Sequence, residues 1–363
     1  MWFQRMALED WFDTYQYEID YDIGESAVKC LTLGDIDIDP KDILLRYGHH
    51  KGRPDLREAV AAQYQGFTPD EVIVTSGASE ANFCVVSALV KPGDHVVIEH
   101  PNYPSLYEVP RSLGCNVNLL TLKYEDQFKP NLDALARMVT PDTKLVSLTH
   151  PNNPTGSKIS EDDLKRVVDL VESMDTFLLF DETYREMDLE DPMPPAAVYS
   201  PRVVSISSMS KCYGLPGIRI GWLATKDRHI LDNVLAIREQ VSITNNAVSE
   251  EVAVHVLNNK DRFLASSKKR IDQNRGIVSR WMNEQTHVEW VEPEAGVVCF
   301  PRIKADVKIE PEQLYRRLAE EYRTFVLPGR CFEMDNHHFR IGFGAEPEEI
   351  ETGLANVSEA LGV

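Results

Sequence analysis

The most informative stretch of the sequence is Ser205-Ile-Ser-Ser208-Met209-Ser210-Lys211-Cys212-Tyr213-Gly214-Leu-Pro216-Gly217-Ile-Arg219-Ile-Gly221-Trp222. It begins with residues 202–207, an apolar run rich in β-branched side chains, which predicts a buried strand. Small hydroxyl side chains, one lysine and a glycine- and proline-rich loop follow. A lysine at the carboxyl end of a buried strand lies where open α/β sheets gather their functional groups. The stretch therefore predicts an α/β protein with Lys211 in its functional site.

Lys211 and its neighbours form a candidate cofactor site. Partial desolvation favours the neutral amine, which can form a Schiff base with an aldehyde. The hydroxyls of Ser208 and Ser210 and the planar guanidinium of Arg219 can converge on a phosphate. An isolated S-x-S-K pattern is more often an ordinary loop, but the complete segment favours a lysine that binds pyridoxal phosphate.

This segment resembles the cofactor-lysine segment of the class I and II aminotransferases, which are pyridoxal-phosphate enzymes of fold type I. The resemblance extends from about Leu31 to Ile341. It implies an α/β fold with a mainly parallel seven-stranded sheet in a large domain, together with a smaller α+β domain. The large domain is expected at residues 42–262 and the small domain at residues 1–41 and 263–363.

Length and composition agree with this class. A chain of 363 residues exceeds a typical single domain, so two domains are expected. The formal charge of −20 disfavours nucleic acid and anionic membranes as partners. The sequence has no apolar run of the ~20 residues that a membrane span needs, and its first residues do not resemble a signal peptide. We therefore expect a cytoplasmic protein.

Metal binding is not predicted. The six cysteines are scattered, with no C-x-x-C pair, which is typical of reduced thiols. Asp35, Asp37 and Asp39 lack the downstream glycine and glutamate of a calcium loop. The adjacent side chains of His49 and His50 project in different directions, so solvent or interface positions are favoured for them.

Residues 70–82 predict a strand that turns through small residues into a helix. Free backbone N–H groups and the helix dipole make such a helix start an anion site. The G-x-x-x-x-G-K-[ST] pattern of a nucleotide-binding P-loop is absent. By resemblance, Gly77, Ala78 and Ser79 bind the phosphate of the cofactor.

Two further apolar strands end in polar side chains. Residues 144–156 end in a pair of amides that includes Asn153, and residues 176–184 place Asp181 directly after the strand. A buried carboxylate is costly unless it is paired. A protonated pyridine nitrogen is a suitable partner, and that pairing makes the ring an electron sink. We expect Asn153, Asp181 and Lys211 to lie at the ends of three consecutive strands.

The resemblance implies further cofactor contacts. Asn153 and Tyr184 are expected to hydrogen-bond the ring oxygen, and Tyr103 to stack on the ring. Tyr47 is expected to reach the phosphate of the neighbouring subunit, which implies a homodimer with shared active sites. Thr244 is a weaker candidate for a contact near the same phosphate.

The resemblance also implies the substrate contacts. Arg340 corresponds to the arginine that binds the substrate α-carboxylate in a bidentate fork, and Asn153 lies beside it. Residues 31–40 predict a short strand that leads into an acidic turn, with Gly34 lying over the substrate. The side chain of the substrate is not fixed by the sequence, although Glu25 could favour a cation or could be a solvated surface residue.

Periodicity predicts the remaining elements. The predicted elements are an amphipathic helix at 6–18, helices across 226–262 interrupted at 241–247, a long helix from Arg262 to Asn283, and strands within 288–301 and 324–343.

The activity implied by the resemblance is aminotransfer from an L-amino acid to a 2-oxo acid. The reaction would follow a ping-pong mechanism through aldimine and ketimine intermediates. Lys211 would hold pyridoxal 5'-phosphate and act as general acid and base. Asp181 and Tyr103 complete the expected catalytic set.

Two alternatives remain open. Lyases and cyclases of the same fold share these residues, and residues 8–11 with Leu33 and Gly34 loosely resemble the capreomycidine synthases, which cyclise a hydroxylated arginine derivative. Transcription regulators that contain this fold carry a DNA-binding head before it. The short segment before Leu31 and the acidic charge disfavour that alternative.

Overall fold

The computed structural model describes residues 2–190 and 192–362. The helices are α1 Ala7–Tyr15, α2 Leu33–Ile36, α3 Pro54–Ala61, α4 Ala78–Leu89, α5 Ser105–Leu113, α6 Leu132–Met138, α7 Glu161–Ser173, α8 Arg228–Arg238, α9 Ala247–Asn258, α10 Lys260–Glu284, α11 Pro311–Glu320 and α12 Pro347–Leu361. The strands are β1 Tyr21–Asp22, β2 Val72–Thr75, β3 His95–His100, β4 Asn116–Thr121, β5 Thr143–Thr149, β6 Phe177–Asp181, β7 Val203–Ser208, β8 Gly221–Ala224, β9 Val288–Glu289, β10 Val298–Cys299, β11 Arg302–Ile303, β12 Thr324–Phe325, β13 Leu327–Pro328 and β14 Phe339–Gly342.

A seven-stranded sheet in the order β2-β8-β7-β6-β5-β3-β4 forms the centre of the fold. Strand β8 runs antiparallel to both of its neighbours, and the other pairs are parallel. Buried clusters lie on both sides of the sheet, which explains why its strands are nearly continuous apolar runs. The predicted α/β class and the mainly parallel seven-stranded sheet are therefore confirmed.

The strand order reverses between β3 and β5. Open α/β sheets bind ligands outside the carboxyl ends of their strands at such a reversal. Strands β6 and β7 follow β5 in the sheet, so their carboxyl ends lie along the same edge. The segments that follow β3, β5, β6 and β7 therefore lie at one edge of the sheet. Predicted site residues lie in these segments.

Short strands from the two ends of the chain form a second, smaller unit. Strand β1 pairs in parallel with β12. Strand β14 lies between β10 and β13, and β9 pairs with β11. The long helix α10 packs against the C-terminal helix α12. The smaller α+β unit is therefore present, and the domain boundaries given above stay a prediction.

The predicted helices at the N terminus and between residues 226 and 284 are present, with the interruption between α8 and α9. The predicted strand at residues 31–33 is wrong, because helix α2 begins at Leu33. A capping box explains this turn of helix. The carboxylate of Asp35 accepts hydrogen bonds from the backbone N–H and the hydroxyl of Thr32 at 2.8 and 2.7 Å.

Among the residues that the structure describes, no helix is both long enough and apolar enough to cross a membrane.

Asn274 ties helix α10 to the segment after β14. Its side-chain amide, which is fully buried, donates to the carbonyl oxygens of Phe343 and Ala345 at 2.9 and 2.8 Å. Both acceptors lie in a loop where no strand partner can replace the amide. The contact therefore fixes how the smaller unit packs on α10.

We expect Asn274→Ala to lower the free energy of unfolding by about 1–3 kcal/mol, because two buried carbonyl groups lose their donor. Asn283→Ala, an exposed change on the same helix, is the matched control and should alter stability by less than about 0.5 kcal/mol. Urea unfolding of both variants measures the difference. Equal stability of the two variants would contradict a structural role for the Asn274 amide.

Candidate active site

The carboxyl ends of the central strands border a cavity of about 390 Å³. Most of the predicted site residues line it. They are Ala78, Ser79, Tyr103, Asn153, Asp181, Tyr184, Ser208, Ser210, Lys211, Arg219 and Arg340.

Asp181 ends strand β6 and presents a carboxylate to the cavity. Its Oδ1 accepts a hydrogen bond from the backbone N–H of Thr183 at 2.9 Å. Burial raises the pKa of Asp181 to about 6. Within the described residues no lysine, arginine or histidine pairs with this carboxylate, so a cation that enters the cavity would relieve the cost of burying it.

Lys211 follows strand β7 and points into the same cavity. Its Nζ donates to Glu25 Oε1 at 2.8 Å. Burial by itself would lower the pKa of Lys211, but the Glu25 carboxylate raises it above its usual value. Burial would likewise raise the pKa of Glu25, whereas the positive charges of Lys211 and Arg340 lower it to about 2. The amine is therefore held as an ammonium beside a carboxylate.

The start of helix α4 forms an anion cradle. Gly77 is the N-cap, with φ +83°, and no side chain caps the helix there, so backbone N–H groups of the first turn are free for a ligand. The guanidinium of Arg219 lies against Gly77, where a Cβ atom would overlap it. Gly221 packs equally closely on the backbone of Gly77 and Ala78. A phosphate fits the charge and the donors of this cradle.

Arg340 is only 1% exposed. Its guanidinium donates to the carbonyl of Gly24 at 3.0 and 2.7 Å and to Asn153 Oδ1 at 3.0 Å. It has no carboxylate partner in these contacts. A buried arginine that faces a cavity in this way can receive a substrate carboxylate. Since Asn153 Oδ1 accepts from Arg340, the amide nitrogen of Asn153 remains available as a donor.

Tyr103, in the segment after β3, is held by the N-terminal helix. Its hydroxyl donates to Glu9 Oε1 at 2.9 Å. Burial first, and the Glu9 charge second, raise the pKa of Tyr103, so the phenol stays protonated. Helix α1 thereby forms one wall of the cavity, with Leu8, Glu9 and Phe12 among the lining residues.

Within the part of the chain that the structure describes, two buried polar atoms on the cavity wall have no hydrogen-bond partner: Asn102 Nδ2 and Thr149 Oγ1. Buried polar groups in folded proteins are almost always hydrogen-bonded. Together with the free start of α4 and the uncompensated Asp181, they fit a polar ring with a phosphate and a basic nitrogen. Pyridoxal phosphate has these features.

Three candidates lie away from this cavity. Gly34 is exposed in α2 and does not line it, because the helical turn leaves residues 33–35 exposed and buries only Ile36. Tyr47 is 80% exposed and lines a separate surface groove. Thr244 lies between α8 and α9 and does not line the cavity either.

The segment Gly24-Glu25-Ser26, which follows β1, supplies contacts to both Arg340 and Lys211. The sequence analysis names Glu25 as a possible contact for a cation, but it predicts neither the Gly24 contact nor the pairing of Glu25 with Lys211. A glycine and a glutamate shortly after β1 were the available signal, whereas the prediction of a glycine over the substrate fell on Gly34.

Comparison with known families agrees with this geometry. The family model "Aminotransferase class I and II" matches residues 15–357, nearly the whole chain. The chain belongs to the class I and II aminotransferase family. Pyridoxal 5'-phosphate is therefore its cofactor, and the residues described above are suited to hold it.

Individual relatives differ in their reactions. The capreomycidine synthase of Streptomyces vinaceus is 32% identical, over 98% of this chain and 93% of that protein. The aspartate aminotransferase of Pyrococcus horikoshii is 26% identical, over 87% and 83%. A PLP-dependent aminotransferase from Streptococcus suis superposes with a TM-score of 0.94 at 30% identity, over 99% and 98%. The PLP-dependent cyclase OrfR superposes with a TM-score of 0.92 at 28% identity, over 99% and 98%.

The environment of Asp181 predicts a pH-dependent gain in stability. A carboxyl whose pKa is raised on folding destabilises the folded state once the pH exceeds that pKa. In protein freed of its cofactor, Asp181→Asn should therefore raise the free energy of unfolding at pH 8, by up to about 3 kcal/mol. The gain should shrink as the pH falls from 8 to 5, because Asp181 then takes up a proton. Urea unfolding at both pH values measures it, and an Asn variant less stable than wild type at pH 8 would refute this account of the site.

Proposed function

We propose that this protein transfers the amino group of an L-amino acid to a 2-oxo acid. The observation that carries the proposal is the convergence of Lys211, Asp181, Asn153 and Arg340 on one cavity beside an anion cradle. Amino-group transfer needs an amine carrier, a stabilised ring, and a site for the α-carboxylate. Each of these requirements has a residue in the cavity.

The residues of the cavity would have different roles in this reaction. When bound, the cofactor supplies an aldehyde for amines and a ring that withdraws electrons from Cα. The free start of α4 and Arg219 would hold its phosphate, and Asp181 would pair with its ring nitrogen. Arg340 would orient the substrate by its α-carboxylate, which places Cα near Lys211. Lys211 Nζ would then take the proton from Cα and later return it.

A second candidate is a cyclase or lyase reaction at the same site, and two observations favour it. Relatives named as cyclases match this chain across nearly all of its length. The cavity lining also includes three carboxylates, those of Glu9, Asp13 and Glu25. Carboxylates suit a positively charged substrate side chain, such as that of an arginine derivative.

The acidic wall bears on the substrate. Among the described residues, the cationic side chains that line the cavity are Lys211, Arg219 and Arg340, and each already has a proposed role. The described part of the cavity lining therefore holds no further cation for a second substrate carboxylate. We therefore propose an amino donor with a neutral or positively charged side chain, because Glu9 would repel an acidic one.

We also propose a homodimer in the cytoplasm. Tyr47, Leu44, Leu45 and Val241 are all more than half exposed although they are large and hydrophobic. Such groups mark a surface that a partner covers. The free thiols of the chain support a reducing compartment.

A half-reaction experiment distinguishes the two candidate reactions. For a transaminase, a suitable amino acid alone should convert the bound cofactor to its amine form and release one equivalent of 2-oxo acid. Adding pyruvate or 2-oxoglutarate should then restore the yellow form. Absorbance spectra and product analysis over a panel of neutral and cationic amino acids provide the readout.

A different result would replace the first candidate with the second. Many turnovers without any 2-oxo acid, giving ammonia, carbon dioxide or a cyclic product, would exclude aminotransfer as the main reaction. Aspartate and glutamate serve as controls, and rapid conversion by either would contradict the proposed role of the acidic wall.

A further inference from the structure

Glu25 forms an ion pair with the nitrogen of Lys211. Lys211 Nζ donates to Glu25 Oε1 at 2.8 Å. The same oxygen accepts the backbone N–H of Ser26 at 2.9 Å, and Gln16 Nε2 approaches the other oxygen at 3.5 Å. The carboxylate is therefore oriented by groups other than the lysine, and it presents one oxygen to Nζ.

The backbones that carry the two residues are also tied together. Val28 N donates to the carbonyl oxygen of Lys211 at 3.0 Å, and Asp22 Oδ1 accepts from Glu25 N at 2.9 Å. Gly342 packs so closely on the carbonyl of Glu25 that a Cβ there would overlap it. The backbone of Glu25 is therefore held in place beside the segment that carries Lys211.

Few other charged or titratable groups face the pair. Arg340 favours the anion on Glu25 and opposes a proton on Lys211, whereas Tyr184 favours that proton. Asp22 and Cys30 lie on the Glu25 side. Both the 2.8 Å contact and the negative charge of Glu25 therefore stabilise a positive charge on Nζ.

We propose that Glu25 is the counter-ion of the Lys211 nitrogen, a positioning residue that keeps a proton on Nζ and directs it into the cavity. This inference rests on the proposed function, in which Lys211 holds the cofactor. The positive charge would lie on Nζ in both forms of Lys211, the free ammonium and the protonated C=N linkage to the cofactor aldehyde.

A pH titration of the holoenzyme, followed by the absorbance band of the lysine-bound cofactor, measures the proton on Nζ. Glu25→Gln removes the charge and keeps the volume. Its titration midpoint should fall by about one to three pH units, because an opposite charge at this distance shifts a pKa by that amount. Glu25→Asp keeps the negative charge, so its titration midpoint should return most of the way to the wild-type value.

Asp13→Asn is the matched control. Asp13 lines the same cavity, but it pairs with Arg5, so its removal should leave the midpoint at the wild-type value. An unchanged midpoint in Glu25→Gln, an equal fall in Asp13→Asn, or an equal fall in Glu25→Asp would each overturn the proposal.

Lys211→Ala separates this proposal from the proposed function. With the cofactor bound, that variant should lose the titration altogether. If it kept the wild-type titration, Lys211 would not be the cofactor lysine, and the site assignment would fail before the role of Glu25 is reached.

Discussion

The carboxylate of Asp181, half-buried at a strand end without a cationic partner among the described residues, is the constraint on which the site depends. A charge in that position lowers stability unless something in the cavity compensates it. The fold keeps it there because β6 lies between β5 and β7, whose ends supply Asn153 and Lys211. One edge of the sheet thus places an acid, an amide and an amine around a shared space, and a protonated ring nitrogen would complete their pairing.

The cavity lining carries charges of both signs. The free start of α4 and the guanidiniums of Arg219 and Arg340 are suited to anionic groups. Helix α1 contributes the carboxylates of Glu9 and Asp13 to the same lining. A ligand with two anionic groups and one cationic group would therefore meet groups of opposite charge in this cavity.

The features that could be predicted from the sequence are those that depend on residues close together in the chain. Asp181, Asn153 and Lys211 lie at or shortly after the carboxyl ends of apolar strands, so their common position required only the rule that parallel strands end at one edge. The contacts of Glu9 and Glu25 could not be predicted in the same way, because they depend on how the N-terminal segment packs on β14 and on the segment after β3, far away in the chain. Gly34 was selected for its motif, but the helical turn of residues 33–36 leaves it exposed. Tyr47 is exposed, so its expected contact with the phosphate of a neighbouring subunit stays a prediction.

The most direct test of the central claim is the identity of the lysine that binds the cofactor. Borohydride reduction of the yellow holoenzyme, followed by proteolysis and mass spectrometry, locates the attached cofactor on one peptide. The account predicts that the label lies on Lys211, within the segment that follows β7. A label on Lys226 or on any other lysine would contradict it, because Asp181, Asn153 and the cradle at α4 would then surround the wrong amine.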